Sequence, residues 1–425
     1  MVKLNLVNRR LYLDRALMFR DTDLIKVVTG VRRCGKSSLL ALVRDELASK
    51  TTEGSAFVSL NLESMACPVT TKDELYAYIR DRLSPNGKTY IFLDEPQRIE
   101  GWQLAVNAMR VDFDCDIYLT GSNAYLLSSE LSTYLSGRYV EIKMLPLSVG
   151  EYVDFCGLSF GSSAAAVDSG GSVVLFEDVL ERYLIYGGMP AVASLDLTQE
   201  AHSAYIAGLY DAVVTRDILN RERGFGQSRV VDSALLEKVT AFLGDNVGNN
   251  LSMKGISDAL TSAGSKTTNK TVDSYVRALN EAYLFYKADR FDLHGKEILR
   301  TNPKEYIVDL GIRSYLGGYR STDMGRLFEN AVYLQLFYMG WRVHVGKLYG
   351  KEVDFVAVKD GKTVYLQVTD EMMSEKTRER ELGPLRSIRD SYEKCVIVRQ
   401  GRYETDVKGI RIIQARDFFL GASIW

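Results

Sequence analysis

The sequence Thr29-Gly30-Val31-Arg32-Arg33-Cys34-Gly35-Lys36-Ser37-Ser38 lies between an apolar run, Leu24–Val28, and a helix-forming run, Leu39–Leu47. The pattern GxxxxGK[ST] between a strand and a helix is typical of a phosphate-binding loop, in which backbone N–H groups face phosphate oxygens. We expect Lys36 to reach the β- and γ-phosphates and the Ser37 hydroxyl to complete a Mg²⁺ shell. The residues expected to line the nucleotide are Gly30, Val31, Arg32, Arg33, Cys34, Gly35, Lys36, Ser37 and Ser38.

The third predicted strand, Tyr90–Asp94, ends at two adjacent acids, Asp94 and Glu95. A carboxylate at the end of a strand can hold Mg²⁺, and the next acid can polarise an attacking water. The alternative is a buried strand that runs into a polar turn, but the upstream phosphate loop favours a Walker B element. Because Glu95 would supply the base from the same chain, the pair favours hydrolysis over binding alone.

The sequence signals for further catalytic groups are less specific. The predicted strand Cys115–Thr120 is followed by Ser122 and Asn123, either of which could sense the γ-phosphate or orient the water, with a plain turn as the alternative. The developing charge also calls for a cation, for which Arg138 and Arg216 are the candidates. The alternative for each is a surface or structural arginine. A trans-acting Arg138 would require oligomers, whereas Arg216 could act in cis.

The composition is that of an ordinary globular protein, with 425 residues, 46% hydrophobic and 25% charged. This length corresponds to about two to four domains. The net charge of −2 means that any DNA contact must come from a local basic surface. Five scattered cysteines and three scattered histidines favour neither disulfides nor a zinc cluster. No apolar segment is long enough to cross a bilayer, so a cytoplasmic protein without membrane contact is expected.

Residues 24–146 alternate strand and helix patterns, as a parallel sheet requires. Within this unit Ala56–Leu62 is the predicted second strand, and Leu145–Leu147 is expected to close the unit. The Ser- and Gly-rich stretch Gly157–Ser172 is interpreted as a flexible insertion or linker. Helical patterns follow it, interrupted at Tyr186–Pro190 and resuming from Gln199 to about Arg221.

A different unit is predicted between residues 232 and 290. Short helices at Met253–Ser262 and Thr271–Ala282 precede a strand at Tyr283–Arg290, which is the order of a winged helix-turn-helix. Such a module could contact DNA, dock a protein or serve as a plain lid. The side chains available for phosphate contacts are Lys254, Lys266, Lys270 and Arg277.

Together these elements resemble the AAA-type ATPases that carry a C-terminal domain of unknown function. The segments that carry the resemblance are Val28–Ser37, Leu93–Gln97, Leu119–Asn123, Leu135–Tyr139, Leu145–Ser148 and Tyr186–Pro190. The resemblance implies an α/β protein: a P-loop parallel-sheet ATPase core of the ASCE class, a helical lid, a winged helix and a restriction-endonuclease-like domain. The implied boundaries are 1–150 for the core, 151–230 for linker and lid, 231–300 for the winged helix-turn-helix and 301–425 for the nuclease-like domain.

The C-terminal region departs from the nuclease pattern. PD-(D/E)xK nucleases place an acid on a helix, an Asp on one strand and E-x-K on the next. The corresponding residues here are Glu329, Asp354, Gln367 and Thr369. Gln offers a metal only a neutral oxygen and Thr supplies no cation, so we expect weak or no cleavage. Lys376 is an alternative source of the lysine.

Three functions remain open at this point. The leading hypothesis is an ATPase that uses ATP and Mg²⁺ and whose C-terminal half engages DNA or a partner. The second is a nucleotide-switched interaction protein with slow hydrolysis, and the third is an ATP-dependent nuclease. Stimulation of ATP turnover by DNA separates the first two hypotheses.

Overall fold

The apolar run before the phosphate loop is strand β1, Ile25–Thr29, whose five residues are all buried. Burial on both faces is typical of an inner strand of a parallel sheet. The computed structural model describes residues 7–51, 54–122, 135–161, 164–194, 198–219, 232–348 and 350–421. Two compact units are present, Met1–Met144 with Glu281–Tyr283, and Leu145–Asn280 with Leu284–Trp425.

The first unit is an α/β domain around a parallel sheet. Its described helices and strands, in chain order, are α1 Arg10–Leu17, β1, α2 Lys36–Lys50, β2 Ala56–Asn61, α3 Lys72–Arg80, β3 Thr89–Asp94, α4 Trp102–Asp112, β4 Cys115–Gly121 and β5 Tyr139–Lys143. The sheet order is β2-β3-β4-β1-β5, and neighbouring strands are parallel throughout. The predicted parallel sheet is confirmed.

The sheet is completed by a strand that the sequence patterns did not identify. Tyr139–Lys143, rather than Leu145–Leu147, pairs with β1, with Tyr139 opposite Ile25 and Lys143 opposite Thr29. This edge strand is only partly buried and includes two charged residues, so it lacks the apolar run that identifies β1. Leu145 and Leu147 are buried without forming a strand.

The second unit begins with helices. In chain order its described elements are α5 Val149–Phe155, β6 Ala165–Val167, β7 Val173–Leu175, α6 Phe176–Tyr186, α7 Pro190–Ser194, α8 Gln199–Ala212, α9 Ser233–Asp245, α10 Met253–Ser262, α11 Asn269–Glu281, β8 Phe285–Asp292, β9 Glu297–Ile307, α12 Leu310–Gly317, α13 Met324–Tyr338, β10 Arg342–Leu348, β11 Lys351–Lys359, β12 Lys362–Thr369, α14 Glu375–Arg386, β13 Glu393–Val398, β14 Asp406–Val407, β15 Ile410–Gln414 and α15 Ala415–Leu420. A π-helical segment, Val213–Leu219, continues α8.

The stretch expected to be a flexible linker contains a hairpin. β6 and β7 pair antiparallel, with Ala165 opposite Leu175, and the Gly- and Ser-rich residues form the turn between them. Asp168 Oδ1 accepts hydrogen bonds from the N–H groups of Gly170 and Ser172, which fixes that turn. The described residues of this segment therefore agree with an insertion that forms a hairpin, rather than with a linker without secondary structure.

The break at Tyr186–Pro190 has a physical cause. Asp309 is buried, and its carboxylate accepts hydrogen bonds from the N–H groups of Gly188 and Ile312, so it also caps α12. A Cβ atom on Gly187, which has φ +79°, would lie 2.3 Å from the Asp309 carboxylate. The chain needs glycine here because the carboxylate approaches the backbone so closely. Burial raises the pKa of Asp309 to about 6.

The C-terminal sheet has eight strands in the order β14-β15-β13-β12-β11-β10-β8-β9 among the described residues. The strands β10, β11 and β12 form an antiparallel meander after α13, and β13 returns parallel to β12 after α14. Asp360 and Gly361, both with positive φ, form the two-residue turn that joins β11 to β12. Residues of α13, β11, β12 and α14 therefore converge on one region.

Within the ranges described above, no helix is both long enough and apolar enough to cross a membrane.

Candidate nucleotide site and C-terminal cleft

The phosphate loop, defined here as Gly30–Ser37, leaves β1 and enters α2 at Lys36. Gly30 has φ +147°, and a Cβ atom there would lie 2.1 Å from the Met144 carbonyl oxygen. Gly35 precedes the helix with φ +106°. Both positions require glycine, because the backbone takes conformations that side chains disfavour and approaches a neighbouring chain segment closely. Ser37 is exposed in the first turn of α2, where a helix N-terminus favours anions.

Two cations of the loop are held in place. Lys36 is buried, and its Nζ donates to the carbonyl oxygens of Gly30 and Val31 at 3.0 and 3.1 Å. Arg32 Nη1 lies 3.7 Å from Glu63 Oε1, which also accepts a 2.6 Å hydrogen bond from Arg98. Glu63 therefore lies between an arginine of the loop and one that follows β3. This glutamate was not anticipated from the sequence.

The two acids predicted from the sequence lie at the same sheet edge as the phosphate loop. Asp94 is the last residue of β3, and Thr120 of the adjacent β4 donates a hydrogen bond to Asp94 Oδ1. Thr120 is in register with Val28 of β1. Because parallel strands present their carboxyl ends together, β4 bridges the phosphate loop and the Asp94–Glu95 pair.

Glu95 has a constrained position. Its φ is +56°, and its N–H donates to the Thr120 hydroxyl at 3.2 Å. Glu95 Oε2 accepts hydrogen bonds from Gln97 Nε2 and, at 3.4 Å, from Ser122 Oγ. Burial raises the pKa of Glu95, an effect that Lys36 partly offsets. The structure thus brings Ser122 to Glu95, whereas Asn123 lies outside the described residues.

Arg138 lies at the opposite sheet edge from the phosphate loop. Its carbonyl oxygen accepts from the N–H of Ile25, the first residue of β1, and its Nη1 donates to Asn107 Oδ1 at 3.0 Å. A five-residue strand spans about 15 Å, so Arg138 does not reach the phosphate loop of its own chain. Arg216 lies in the π-helical segment, and its side chain is outside what the structure describes.

The four residues of the expected nuclease-like site surround one cleft of about 850 Å³. Glu329 projects from α13, Asp354 from β11, and Gln367 and Thr369 from β12. Asp354 Oδ2 accepts from the N–H of Val368 at 2.8 Å, and Gln367 Oε1 accepts from the N–H of Asp354 at 2.7 Å. The predicted residues are therefore brought together. Lys376 is exposed and is not among the residues that line the cleft.

The polar groups of β12 are directed to protein partners. Gln367 Nε2 donates to Glu381 Oε2 of α14 at 3.4 Å, and Thr369 Oγ1 donates to the Glu371 carbonyl oxygen at 3.0 Å. Both Gln367 and Thr369 are buried. Their hydrogen bonds stabilise the wall of the cleft.

A buried lysine that the sequence did not suggest, Lys304 of β9, lies among the carboxylates. Its Nζ is 2.7 Å from Glu352 Oε1 and 3.2 Å from Glu329 Oε1, and its side chain is 4% exposed. Burial alone lowers the pKa of Lys304, but Glu329, Glu352 and Asp354 outweigh this effect, so the pKa is raised. Burial and the charge of Glu329 raise the pKa of Asp354.

Two family models match this chain. The model described as an AAA domain matches residues 22–153, and the model of a domain of unknown function (DUF8612) matches residues 177–323. An uncharacterized protein of Haemophilus influenzae is 39% identical over 98% of this chain and 99% of its own length. The chain belongs to this family of AAA-type P-loop proteins.

Two further proteins are similar to this chain at lower sequence identity. An uncharacterized protein of Methanocaldococcus jannaschii is 26% identical over 88% of this chain and 78% of its own length. The crystal structure of Cdc6p from Pyrobaculum aerophilum aligns with a TM-score of 0.30 and 12% identity, covering 76% of this chain and 95% of that chain.

Proposed function

We propose that this protein is a Mg²⁺-dependent ATPase of the AAA type. The observation that carries the proposal is the alignment of three parallel strand ends, where β4 connects the phosphate loop after β1 to Asp94 and Glu95 after β3. A phosphate cradle next to two strand-end carboxylates has the groups needed for phosphoryl transfer to water.

Each residue has a distinct proposed role. The N–H groups of the phosphate loop bind phosphate oxygens, and Lys36 exchanges its two loop carbonyl partners for the β- and γ-phosphates. Glu95 accepts a proton from the attacking water or orients it, and Ser122 positions Glu95. Asn123 remains a second candidate for contact with the γ-phosphate.

The donor set for magnesium fits a hard cation. The Ser37 hydroxyl and the Asp94 carboxylate are oxygen donors of the kind Mg²⁺ prefers. Thr120 donates to Asp94 Oδ1, and among the described residues no side chain donates to Oδ2. When bound, Mg²⁺ would neutralise charge on the β- and γ-phosphates. Ser37 and Asp94 are the residues proposed to hold it.

Arg138 is proposed to act on the nucleotide of a neighbouring subunit. Its exposed position at the opposite sheet edge suits contact with a second copy rather than with its own phosphate loop. A cation supplied in trans stabilises the transition state of phosphoryl transfer. This role requires a homo-oligomer. Arg216 remains the candidate for a cation acting in cis.

A nucleotide switch with slow hydrolysis is the second candidate function. Its support is the pair of hydrogen bonds from Gln97 and Ser122 to the same oxygen, Glu95 Oε2. The hydrogen bond from Gln97 lowers the pKa of Glu95, which makes the carboxylate a weaker base toward water. A low turnover number with tight ATP binding would favour this switch.

DNA contact is proposed for the segment α10, α11, β8 and β9. The order of two helices followed by a β-hairpin agrees with a winged helix-turn-helix. The exposed cations proposed to contact phosphates are Lys254, Lys266, Lys270 and Arg277. We also propose that residues 301–425 form the nuclease-like domain, on the basis of the order α13-β10-β11-β12-α14-β13. The domain boundaries at 150, 230 and 300 stay predictions.

A cytoplasmic location is proposed on the chemistry of cysteine. Cys34, Cys67, Cys115, Cys156 and Cys395 are all free thiols. Free thiols are typical of a reducing compartment.

The test is steady-state ATP hydrolysis with Mg²⁺ or EDTA, and with single-stranded, duplex or branched DNA. We expect ATP hydrolysis that depends on Mg²⁺ and that DNA accelerates. Added salt should weaken this acceleration, because it weakens the binding of DNA. Hydrolysis without stimulation by any DNA would favour the protein-binding switch. Hydrolysis that persists in Lys36→Ala would contradict the proposed site.

A further inference from the structure

A lysine side chain, rather than a bound ion, supplies the positive charge among the carboxylates at the C-terminal cleft. Lys304 enters from β9 and places its ammonium group between Glu329 of α13 and Glu352 of β11. Asp354, two residues after Glu352, lines the same cleft. A nuclease-like site would use this part of the fold to gather carboxylates around a divalent metal ion.

The carboxylates are already supplied with donors. Glu329 Oε1 accepts hydrogen bonds from Lys304 and, at 2.7 Å, from Tyr306. Glu352 Oε1 pairs with Lys304, and Glu352 Oε2 accepts from Asn250 at 2.6 Å. An ammonium group needs acceptors on several sides, and these carboxylates supply them in a region largely shielded from water.

The residues of the cleft do not fit a divalent metal. Gln367 uses its side-chain oxygen on the N–H of Asp354, so this oxygen is engaged within the protein. In the portion of the chain that the structure describes, no three His, Cys, Asp or Glu side chains are grouped so that they could hold a metal ion. A metal ion would have to displace the tethered ammonium group and overcome its positive charge.

We propose that the ammonium group of Lys304 occupies the position that a divalent cation takes in nuclease-like sites, so that the C-terminal cleft binds no such ion and cleaves no phosphodiester. This inference rests on the nuclease-like interpretation of residues 301–425 and is independent of the proposed ATPase. It assigns any DNA contact to another surface, because acids outnumber cations in the cleft lining. The acids are Glu329, Glu352, Asp354, Asp370, Glu371, Glu379 and Glu381, and the cations are Arg326, Lys351 and Arg380.

Melting temperature in a Mn²⁺ titration, without nucleotide, tests the proposal in the full chain. The readout is the part of the Mn²⁺-dependent rise in melting temperature that Asp354→Asn abolishes. This part reports Mn²⁺ binding in the cleft and excludes binding at the phosphate loop. We expect none in the wild type and a saturable rise in Lys304→Met, where the ammonium is replaced by an apolar side chain of similar length. Lys304→Arg, which keeps the charge, and Lys287→Met, on the neighbouring strand, should resemble the wild type.

A rise in the wild type that Asp354→Asn abolishes would overturn the proposal, as would the absence of a rise in folded Lys304→Met.

Incubation of a duplex oligonucleotide with Mn²⁺ and the wild type needs no Lys304 variant, so it tests the proposal even where that variant does not fold. No cleavage is expected. Mn²⁺-dependent cleavage that is lost in Asp354→Asn would show that Lys304 assists a metal site rather than replacing it. The ATPase assays are unaffected by either result, so the two proposals fail separately.

Discussion

Arg9 donates a hydrogen bond of 2.9 Å from Nη1 to the carbonyl oxygen of Cys34 inside the phosphate loop. Arg9 is 4% exposed, and its guanidinium lies 4.7 Å from the centre of the Tyr12 ring. In a trans peptide the C=O and the following N–H point in opposite directions. By holding Cys34 O on one side, Arg9 directs the N–H of Gly35 to the other side. Arg9 is therefore a positioning residue for the phosphate loop.

Arg9→Ala is expected to raise the KM for ATP about tenfold, because a hydrogen bond from a charged group contributes on the order of 1.5 kcal/mol. Arg9→Lys should recover part of the loss, since a cation is retained. The control is Arg10→Ala, which removes an exposed arginine paired with Asp14. Steady-state kinetics measures both parameters. Equal losses of kcat in Arg9→Ala and Arg10→Ala, with KM unchanged, would contradict the positioning role.

Arg138 and Lys36 are expected to complement each other in mixed oligomers. Arg138→Ala lacks the proposed trans cation, and Lys36→Ala lacks a working phosphate loop, so each should be nearly inactive alone. Mixing the two variants should restore a fraction of ATP hydrolysis, because some interfaces then combine an intact loop with an intact Arg138. Arg80→Ala, which alters another exposed arginine of the same unit, should keep activity. Full activity of Arg138→Ala alone would rule out the trans role.

Glu305 makes stability depend on pH. Burial raises its pKa to about 7 from an ordinary value of 4.5. The native state thus favours the protonated form, and this contribution to stability is present below pH 4.5 and lost as pH rises through 7. The free energy of unfolding of Glu305→Gln relative to the wild type should increase by on the order of 3 kcal/mol across that window. Urea unfolding measures it, with exposed Glu297→Gln as control. A pH-independent difference would refute the assignment.

Lys26 and Asp116 form a buried ion pair in the first unit, and both side chains are fully buried. Removing one partner leaves a buried charge without compensation, so Asp116→Asn is expected to lower the free energy of unfolding by about 3–5 kcal/mol. The double variant Lys26→Met/Asp116→Asn should lose less than Asp116→Asn alone. Urea denaturation of the single and double variants measures the coupling. Additive losses would show that the pair does not interact energetically.

Local patterns predicted the phosphate loop, the strand before it and the Asp94–Glu95 strand end, because each is encoded within a few consecutive residues. The edge strand Tyr139–Lys143 was missed because charged residues alternate with apolar ones along it, so that it lacks a continuous apolar run. Hydrophobic patterning likewise revealed α10 and α11. These elements have strong amphipathic signals.

The remaining functional contacts depend on tertiary structure. Arg9 contacts a residue 25 positions away, and Lys304 contacts Glu329 at the same separation. In neither case does the nearby sequence form a motif. The charge partners of Lys304 become evident only when β9, α13 and β11 pack together. The nuclease-like residues were predicted in order, whereas Lys304, which pairs with Glu329 and Glu352, comes from a strand outside the expected pattern.

The central claim, that Glu95 drives hydrolysis of an ATP molecule held by the phosphate loop, is tested most directly by single-turnover hydrolysis and ATP binding in Glu95→Gln. Glutamine keeps the size of the side chain but cannot accept a proton from water. We predict that ATP binding stays close to the wild-type value while the rate of hydrolysis falls at least about a hundredfold. Hydrolysis at the wild-type rate in Glu95→Gln would contradict the account.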